Sequence, residues 1–410
     1  MILNYIWVSF FLIAFVVALI KLVVFNDTTV FPNMLQATFD LAKTGFEISI
    51  GLAGVMSLWL GLMKIGEKGG MVPLLSKVVG PFFSRLFPEI PKDHPATGSI
   101  IMNFSANILG LDNAATPIGL KAMNELQEIN PDKNTASNAQ IMFLVLNASG
   151  LTVIPISIMA DRAVLGSTNP SSIFIPTLIA TFCSTFVGLL YICMRQKINV
   201  FDRVILGYSI GSILVIAGMV YYFSGLPPEE IQSQSTIFTG VIIFSIIVWF
   251  ISLGLKSKIP VFETFIEGAK EGFAISIKII PFLVGILVGI GVFRASGCLT
   301  YLEDGTAWVL SFLGINTDFV PALPVAYLKP LSGQGARSMM IDICKVHGPD
   351  SFVGNVASIF RGCAETTLYL LALYFGSVGV RNTRYAVTGG LIADLAGMIG
   401  GIFVGYLFFH

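Results

Sequence analysis

The sequence predicts an all-α, multi-pass transmembrane protein assembled from two related halves, and three observations carry that reading. Apolar residues make up 55% of the 410 positions and charged residues only 12%, where a soluble domain carries about 25% charged residues. Runs of apolar residues long enough to cross a bilayer recur along the chain. The segment Ala42-Lys43-Thr44-Gly45-Phe46-Glu47-Ile48-Ser49-Ile50 returns as Ala269-Lys270-Glu271-Gly272-Phe273-Ala274-Ile275-Ser276-Ile277, with seven of nine positions identical, and both copies open a long apolar run. A hydrophobic chain that carries itself twice has the make-up of a transporter-like membrane protein, in which two structural repeats meet around a site near the bilayer midplane.

Taken in order, spans of roughly 20 apolar residues fall near 2–25, 45–64, 139–159, 172–194, 204–223, 236–255, 272–293, 357–377 and 385–409. Met1 to Ile20 lacks a basic n-region and a small-residue cleavage site, so it reads as a retained membrane helix rather than a signal peptide. Two weaker stretches, 98–123 and 307–345, are broken by Gly, Pro, Asn and Ser. They fit broken or re-entrant helices, tolerated at membrane depth where protein or a water-filled cavity covers them, or else surface helical hairpins.

The repeat extends past its opening. Leu178-Ile179-Ala180-Thr181 resembles Leu391-Ile392-Ala393-Asp394, Ser137-Asn138 falls opposite Gly354-Asn355, and Ala148-Ser149-Gly150-Leu151-Thr152 falls opposite Cys363-Ala364-Glu365-Thr366-Thr367. The halves are then 1–200 and 235–410, joined by a connector helix and loop at 201–234. Lys64, Lys68, Lys77, Arg85 and Lys92 place 65–97 inside, as do Arg195, Lys197 and Arg203 for their loop, and Lys256, Lys258, Arg381 and Arg384 for theirs; Glu229 and Glu230 suit the outside. The 45–64 helix therefore runs outside to inside and its copy inside to outside, an inverted topology with the connector supplying the flip.

Several function classes fall away. Net charge is zero and the Lys and Arg are scattered, so there is no concentrated basic face for nucleic acid. The five cysteines show no close pairing and read as small apolar fillers, and with only three histidines no metal cage is visible. No nucleophile–base arrangement or phosphate-binding P-loop appears, which argues against an enzyme and against a cofactor.

Polar groups inside apolar stretches mark the candidate site. Asn103 and Asn107 share a helix face. Asp112, Asn113 and Thr116 follow Gly110 and precede Pro117, the local chemistry of a helix break and restart, with Pro117 in the new first turn and Asn113 or Thr116 as cap. These residues either cap and bond between helices or present free N–H groups to a ligand. In the second half, two glycines around Gln334 in Lys329-Pro330-Leu331-Ser332-Gly333-Gln334-Gly335-Ala336-Arg337 would let the backbone unwind. Lys329 and Arg337 either counter an anion there or snorkel to a surface. Glu365 runs into a long apolar stretch, and a charge at mid-membrane costs about 2.5–3.5 kcal/mol, so it faces a cavity or a partner. It forms either an intrahelical pair with Arg361 or a site for a ligand hydroxyl, H⁺ or Na⁺. Asp394 invites the same two readings, and repeat logic sets Asn147, Ser149 and Thr152 opposite Glu365.

These residues also carry a family resemblance. Gly66-Glu67-Lys68-Gly69-Gly70, Phe87-Pro88-Glu89-Ile90-Pro91-Lys92-Asp93-His94-Pro95, Leu111-Asp112-Asn113-Ala114-Ala115-Thr116-Pro117 and Asn134-Thr135-Ala136-Ser137-Asn138-Ala139 resemble the spore maturation protein A family. The run Val261 to Phe273, Lys329-Pro330-Leu331-Ser332-Gly333 and Glu365-Thr366-Thr367-Leu368-Tyr369 resemble the spore maturation protein B family, with Arg361-Gly362-Cys363-Ala364 more charged than that pattern. The chain looks like a fusion of the two over nearly all its length. Both halves resemble the nucleoside-recognition or Gate domain, shared with concentrative nucleoside transporters and the membrane part of ferrous-iron transporters. The resemblance implies two Gate-type repeats in a bacterial inner membrane. Asn103, Asn107, Asn113, Thr116, Asn147, Ser332, Gln334 and Glu365 would line a site for a nucleoside-like or other small polar solute, with H⁺ or Na⁺ as coupling cation. Beyond the lipid bilayer, a second copy of the chain is an allowed partner. The rival reading is a non-transporting scaffold or regulator of envelope or spore maturation, in which the same groups only hold helices together.

Overall fold

A computed structural model describes the backbone of residues 2–91, 94–108, 112–151 and 155–410, and their side chains apart from those of 2–4, 112–114, 228, 229 and 232. Among these residues the regular structure is helical, with one isolated bridge between Thr135 and Asn382. The chain begins with α1 (Ile2–Phe25), α2 (Val30–Lys68), α3 (Met71–Leu86), α4 (Pro95–Ile108), α5 (Asp112–Glu128), α6 (Asn138–Ser149), α7 (Ile156–Val164) and α8 (Phe174–Gln196). After α9 (Arg203–Ser224) come α10 (Pro228–Lys256), α11 (Val261–Ala295), α12 (Cys298–Phe312) and α13 (Leu323–Leu328). The last four are α14 (Gly333–His347), α15 (Phe352–Gly362), α16 (Thr367–Ser377) and α17 (Ala386–Phe409). Eight described helices thus lie on either side of α9. The nine-residue repeat lies inside the second helix of each set, α2 and α11.

Among the described residues, eight helices or helix pairs are long and apolar enough to cross a membrane: 5–25, 30–68, 170–196, 203–224, 233–256, 261–295, 352–377 and 386–409. This is a multi-pass, all-α membrane protein. One expected span is corrected. The interval 139–159 is not continuous: α6 ends at Ser149, Gly150 takes the left-handed region at φ 59° as its C-cap, and Pro155 precedes α7. Its start is fixed by a capping box, in which Ser137 accepts from the Gln140 N–H while the Gln140 side chain accepts from the Ser137 N–H. The 357–377 stretch is interrupted likewise, since α15 stops at Gly362 and α16 begins only at Thr367.

The two weak stretches are broken helices. The first is α4 followed by α5, and the second ends in α13 and α14. Two local expectations are revised. Because α5 already begins at Asp112, Pro117 lies inside it and Thr116 is not a cap. Because α14 begins at Gly333, the backbone turns at Lys329–Ser332 and is helical through Gln334; Ser332 is the cap, its Oγ accepting from the Gly335 N–H at 2.9 Å.

Contacts divide the chain into two compact units, one of 1–60, 157–170 and 269–361, the other of 61–156, 171–268 and 362–410. The units cut across the sequential halves. α7 of the first half belongs to the unit that holds α12–α15, and α16 of the second half to the unit that holds α3–α6.

Within the first unit, α2 and α11 pack antiparallel at glycines. Gly45 sits against Val284, Gly272 against Met56 and Gly291 against Leu41. A Cβ at Gly272 would fall 2.5 Å from the Met56 carbonyl oxygen, so only glycine permits this approach. Gly45 and Gly272 are the matching positions of the repeat, and each receives the matching stretch of the other copy. Small residues that admit close backbone contact are the expected glue where lipid removes the hydrophobic drive to associate.

Within the second unit, α8 and α17 pair in the same antiparallel way, Gly188 on Ala393, Gly389 on Ile192, Gly397 on Ser184 and Gly400 on Cys183. Beside them a ladder of rings fills the core: Phe83 stacks on Phe104 at 4.4 Å, Phe104 meets Phe143 at 5.7 Å, and Phe143 meets Tyr374 at 5.4 Å. By contrast, α1, α9 and α10 carry bare apolar side chains such as Val23, Leu214 and Phe244, the surface a bilayer covers.

Candidate functional site

In the second unit the side-chain amides of α4 and α6 converge with a phenol of α16. The Asn107 amide donates to Asn147 Oδ1 at 2.7 Å and to Asn103 Oδ1 at 3.3 Å. Asn103 is fully buried and donates to the Ala115 carbonyl at 2.8 Å, tying α4 to α5. Tyr374 Oη donates to Asn147 Oδ1 at 3.4 Å, and the Asn147 amide returns to the Phe143 carbonyl at 2.8 Å. These groups largely satisfy one another, as buried polar groups must. Thr116 is half-buried in α5, and the Asn113 side chain lies outside the described residues.

One turn beyond Asn147 the two helix interruptions meet. The Gly150 N–H donates to the Asn147 carbonyl at 3.1 Å, and the Glu365 N–H donates to the Ala148 carbonyl at 2.8 Å. A Cβ at Gly150 would stand 2.7 Å from the Glu365 nitrogen. The segments that the repeat sets opposite each other therefore touch through backbone, although Thr152 lies outside the described residues. Ser149 is spent on its own turn, donating to the Leu146 carbonyl at 2.8 Å.

Glu365 is half-buried, and its carboxylate has no ion pair among the described residues. Nor does Arg361, and the helix that would align them four residues apart ends at Gly362 between them. Asp394 is buried in α17 and accepts from the Thr367 hydroxyl at 2.7 Å, binding α17 to the first residue of α16. A carboxylate beside a helix gap can accept a hydroxyl or amine or hold a cation.

In the first unit the cations are placed differently from the sequence expectation. Arg337 does not snorkel; it is buried and forks onto Asp161, with Nε at 2.9 Å from Oδ2 and Nη2 at 2.6 Å from Oδ1. Lys329 is fully buried as well, and Gln334 is exposed at the start of α14. Sequence reasoning passed over Asp161 and Arg162, whose signal was an acid and a base side by side after the mostly apolar Ile156-Ser157-Ile158-Met159-Ala160. Arg162 is fully buried and donates to the Pro349 carbonyl at 2.6 Å, to Asp350 Oδ1 at 3.0 Å and to Ser358 Oγ at 3.2 Å. Partial burial would raise the Asp350 carboxyl, but hydrogen bonds from Ser167 and Thr168 and the Arg162 charge outweigh it and hold the group below the usual carboxylate range.

Among the described residues no group of three His, Cys, Asp or Glu side chains is placed to hold a metal ion.

Residues 49–162, which carry Asn103, Asn107, Asn147 and Gly150, match the Gate family, described as nucleoside recognition. The chain is 43% identical over 197 residues to spore maturation protein A of Bacillus subtilis (strain 168), a match covering 47% of this chain and 97% of that protein. It is also 44% identical over 156 residues to spore maturation protein B of the same organism, covering 38% of this chain and 86% of that protein. This chain belongs to the spore maturation protein A and B family. The two matches fall on different parts of it, so what B. subtilis carries on two chains stands here on one. No solved structure matches it. In this member of the spore maturation family, Gly150 lies within the stretch that matches the Gate family and Glu365 outside it, and a backbone hydrogen bond from Glu365 to Ala148 joins the two. The Gate and spore maturation membrane families are not known enzyme families.

Proposed function

We propose that this protein recognises or translocates a small polar solute of nucleoside-like chemistry in the bacterial inner membrane, as two Gate-type repeats of inverted topology at 1–200 and 235–410 joined through 201–234. The observation that carries the reading is Glu365. It is a carboxylate without an ion pair among the described residues, at a gap between α15 and α16 that abuts the gap after α6. Interrupted helices at matching positions of two repeats are where such proteins bind substrate and coupling ion. Glu365 accepts a ligand hydroxyl or holds a coupling H⁺ or Na⁺, while Asn107, Asn147 and Tyr374 adjoin it through Gly150. Asn103, Asn113 and Thr116 belong to the same proposal, with Asp394 as a supporting charge; Ser332, Gln334, Lys329, Arg337 and Arg361 fall in the other unit and are proposed there by themselves. No catalytic step or cofactor enters this reading, and a homo-oligomer is compatible with it.

One observation favours the rival. The amides of Asn103, Asn107 and Asn147 bond to one another and to backbone, which is also what a non-transporting scaffold needs. Thermal stability of the purified protein against nucleosides, bases, H⁺ and Na⁺ separates the two. A ligand that binds only the folded protein adds about 2.7 kcal/mol at a hundredfold excess over its dissociation constant. A stabilising nucleoside whose effect disappears in Glu365→Gln supports the solute reading and justifies uptake assays in liposomes. A flat response to the whole panel, with Glu365→Gln merely less stable, rejects it in favour of the scaffold.

A further inference from the structure

A second polar site lies in the second unit, where α8 ends and α17 begins. Tyr191, Arg195, Arg384, Tyr385 and Thr388 line an open cleft of about 580 Å³. Arg195 comes from the last turn of α8 and Arg384 from the loop before α17. Their guanidinium carbons lie 5.2 and 5.0 Å from the centroid of one ring, that of Tyr385. Both arginines are exposed, and neither has a carboxylate partner among the described residues. Glu89 accepts from the Asn138 amide at 2.6 Å, and Asn138 Oδ1 accepts from the Tyr385 hydroxyl at 2.9 Å. Among the described residues no carboxylate lines the cleft itself.

Two cations drawn to one ring repel each other, and an exposed cation–π contact returns only about 0.5–1 kcal/mol. The Arg384 side of the arrangement is nonetheless held by its loop. Arg384 sits in the left-handed region at φ 49°, uncommon for a residue with a side chain. Its N–H bonds Asn382 Oδ1 at 3.1 Å, and its guanidinium donates to the Ala136 carbonyl at 3.1 Å. The loop is clamped to 134–136 by backbone: Arg381 and Asn382 both donate to the Asn134 carbonyl at 2.9 Å, and Ala136 donates to the Asn382 carbonyl at 2.9 Å. Backbone strain of this kind persists where surrounding contacts impose it, and it clusters at ligand-binding positions.

We propose that this cleft binds a phosphate group. Planar guanidinium donors match phosphate oxygens with charge-assisted hydrogen bonds, the hydroxyls of Tyr191 and Thr388 add neutral donors, and the Tyr385 ring holds both arginines in place. An anion between the two cations relieves their repulsion. The phosphate belongs either to a soluble anion or to the headgroup of an anionic lipid, and the chemistry of the grip is the same.

The test uses the full chain in detergent and reads the rate of phenylglyoxal modification at Arg195 and Arg384 by peptide mass spectrometry, with exposed Arg381 as internal control. Inorganic phosphate is the first probe, against chloride at equal ionic strength; mixed micelles of phosphatidylglycerol against phosphatidylcholine are the second. Several-fold protection of both arginines by phosphate, with Arg381 unprotected, supports a soluble phosphate ligand. Protection by phosphatidylglycerol alone supports a lipid headgroup. Equal rates in all conditions, or protection of Arg381 to the same degree, overturn the proposal. The double variant Arg195→Gln with Arg384→Gln, if it elutes as folded protein, should bind phosphatidylglycerol and phosphate no better than background.

Discussion

The Glu365 amide donates to the Ala148 carbonyl at 2.8 Å, joining the helix interruption of one half of the chain to that of the other. Each gap frees backbone groups from their helix, and here each gap satisfies part of the other. The contact depends on Gly150, which has both the left-handed φ of 59° and a backbone neighbour where its Cβ would be.

Gly150→Ala should therefore be costly for two reasons. The left-handed backbone alone costs about 1–2 kcal/mol for a residue with a Cβ, and the added methyl at 2.7 Å from the Glu365 nitrogen must push the segments apart. Unfolding in mixed micelles should show a loss above the backbone figure. Wild-type stability in this variant would mean that the two gaps do not meet.

Arg337→Met should be among the more damaging substitutions in the first unit. Removing one member of a buried pair leaves the other charge without compensation, at about 3–5 kcal/mol, and Asp161 is itself buried. Pairing Arg337→Met with Asp161→Leu should recover most of that loss, because the desolvation cost leaves with both charges. A double variant as unstable as the sum of the singles would contradict a direct interaction.

Asp350 gives the first unit an acid-sensitive joint. Its carboxyl is held below the ordinary value of 3.8 in the folded protein. A depressed folded value contributes stability that is complete above the unfolded value and lost as pH falls through the folded one. Wild-type unfolding temperature should hold steady near neutrality and fall below pH 3.8 more steeply than that of Asp350→Asn, which lacks the titration but keeps the shape. Parallel acid profiles for the two proteins would remove Asp350 from the account.

Much of the fold was legible in the sequence because a bilayer enforces length and polarity rules that leave few alternatives. The Ala42–Ile50 repeat located α2 and α11, and the alignment of Ala148–Thr152 with Cys363–Thr367 paired two segments that touch, but both lay inside stretches that read as continuous spans, so the interruptions themselves were not legible. What the sequence did not show was where polar groups spend their hydrogen bonds. Asn103 and Asn107 share a face as expected, but their partners, Ala115 and Asn147, lie on other helices, and Tyr374 looked like one more aromatic in an apolar run. Arg337 read as a surface or anion-binding cation because Asp161 is far away in the sequence; only tertiary packing brings a buried acid to it. The run around Gln334 was read as unwound from its glycines, yet the cap at Ser332 starts the helix first.

Gly119 tests the amide cluster from the side of shape. A Cβ there would lie 2.4 Å from Tyr374 Oη and 2.9 Å from Asn103 Nδ2, so α5 approaches α16 only because this position has no side chain. Gly119→Ala should cost about 1–3 kcal/mol as an overpacking change, displacing the Tyr374 hydroxyl from Asn147. Tyr374→Phe removes that hydroxyl and should lose roughly 0.5–1.5 kcal/mol for one hydrogen bond. Combined, the two should be less harmful than their sum, because the phenylalanine gives the new methyl the space the hydroxyl occupied. A double-mutant cycle on unfolding stability reads this directly, and strict additivity would place Tyr374 away from Gly119 and outside the cluster.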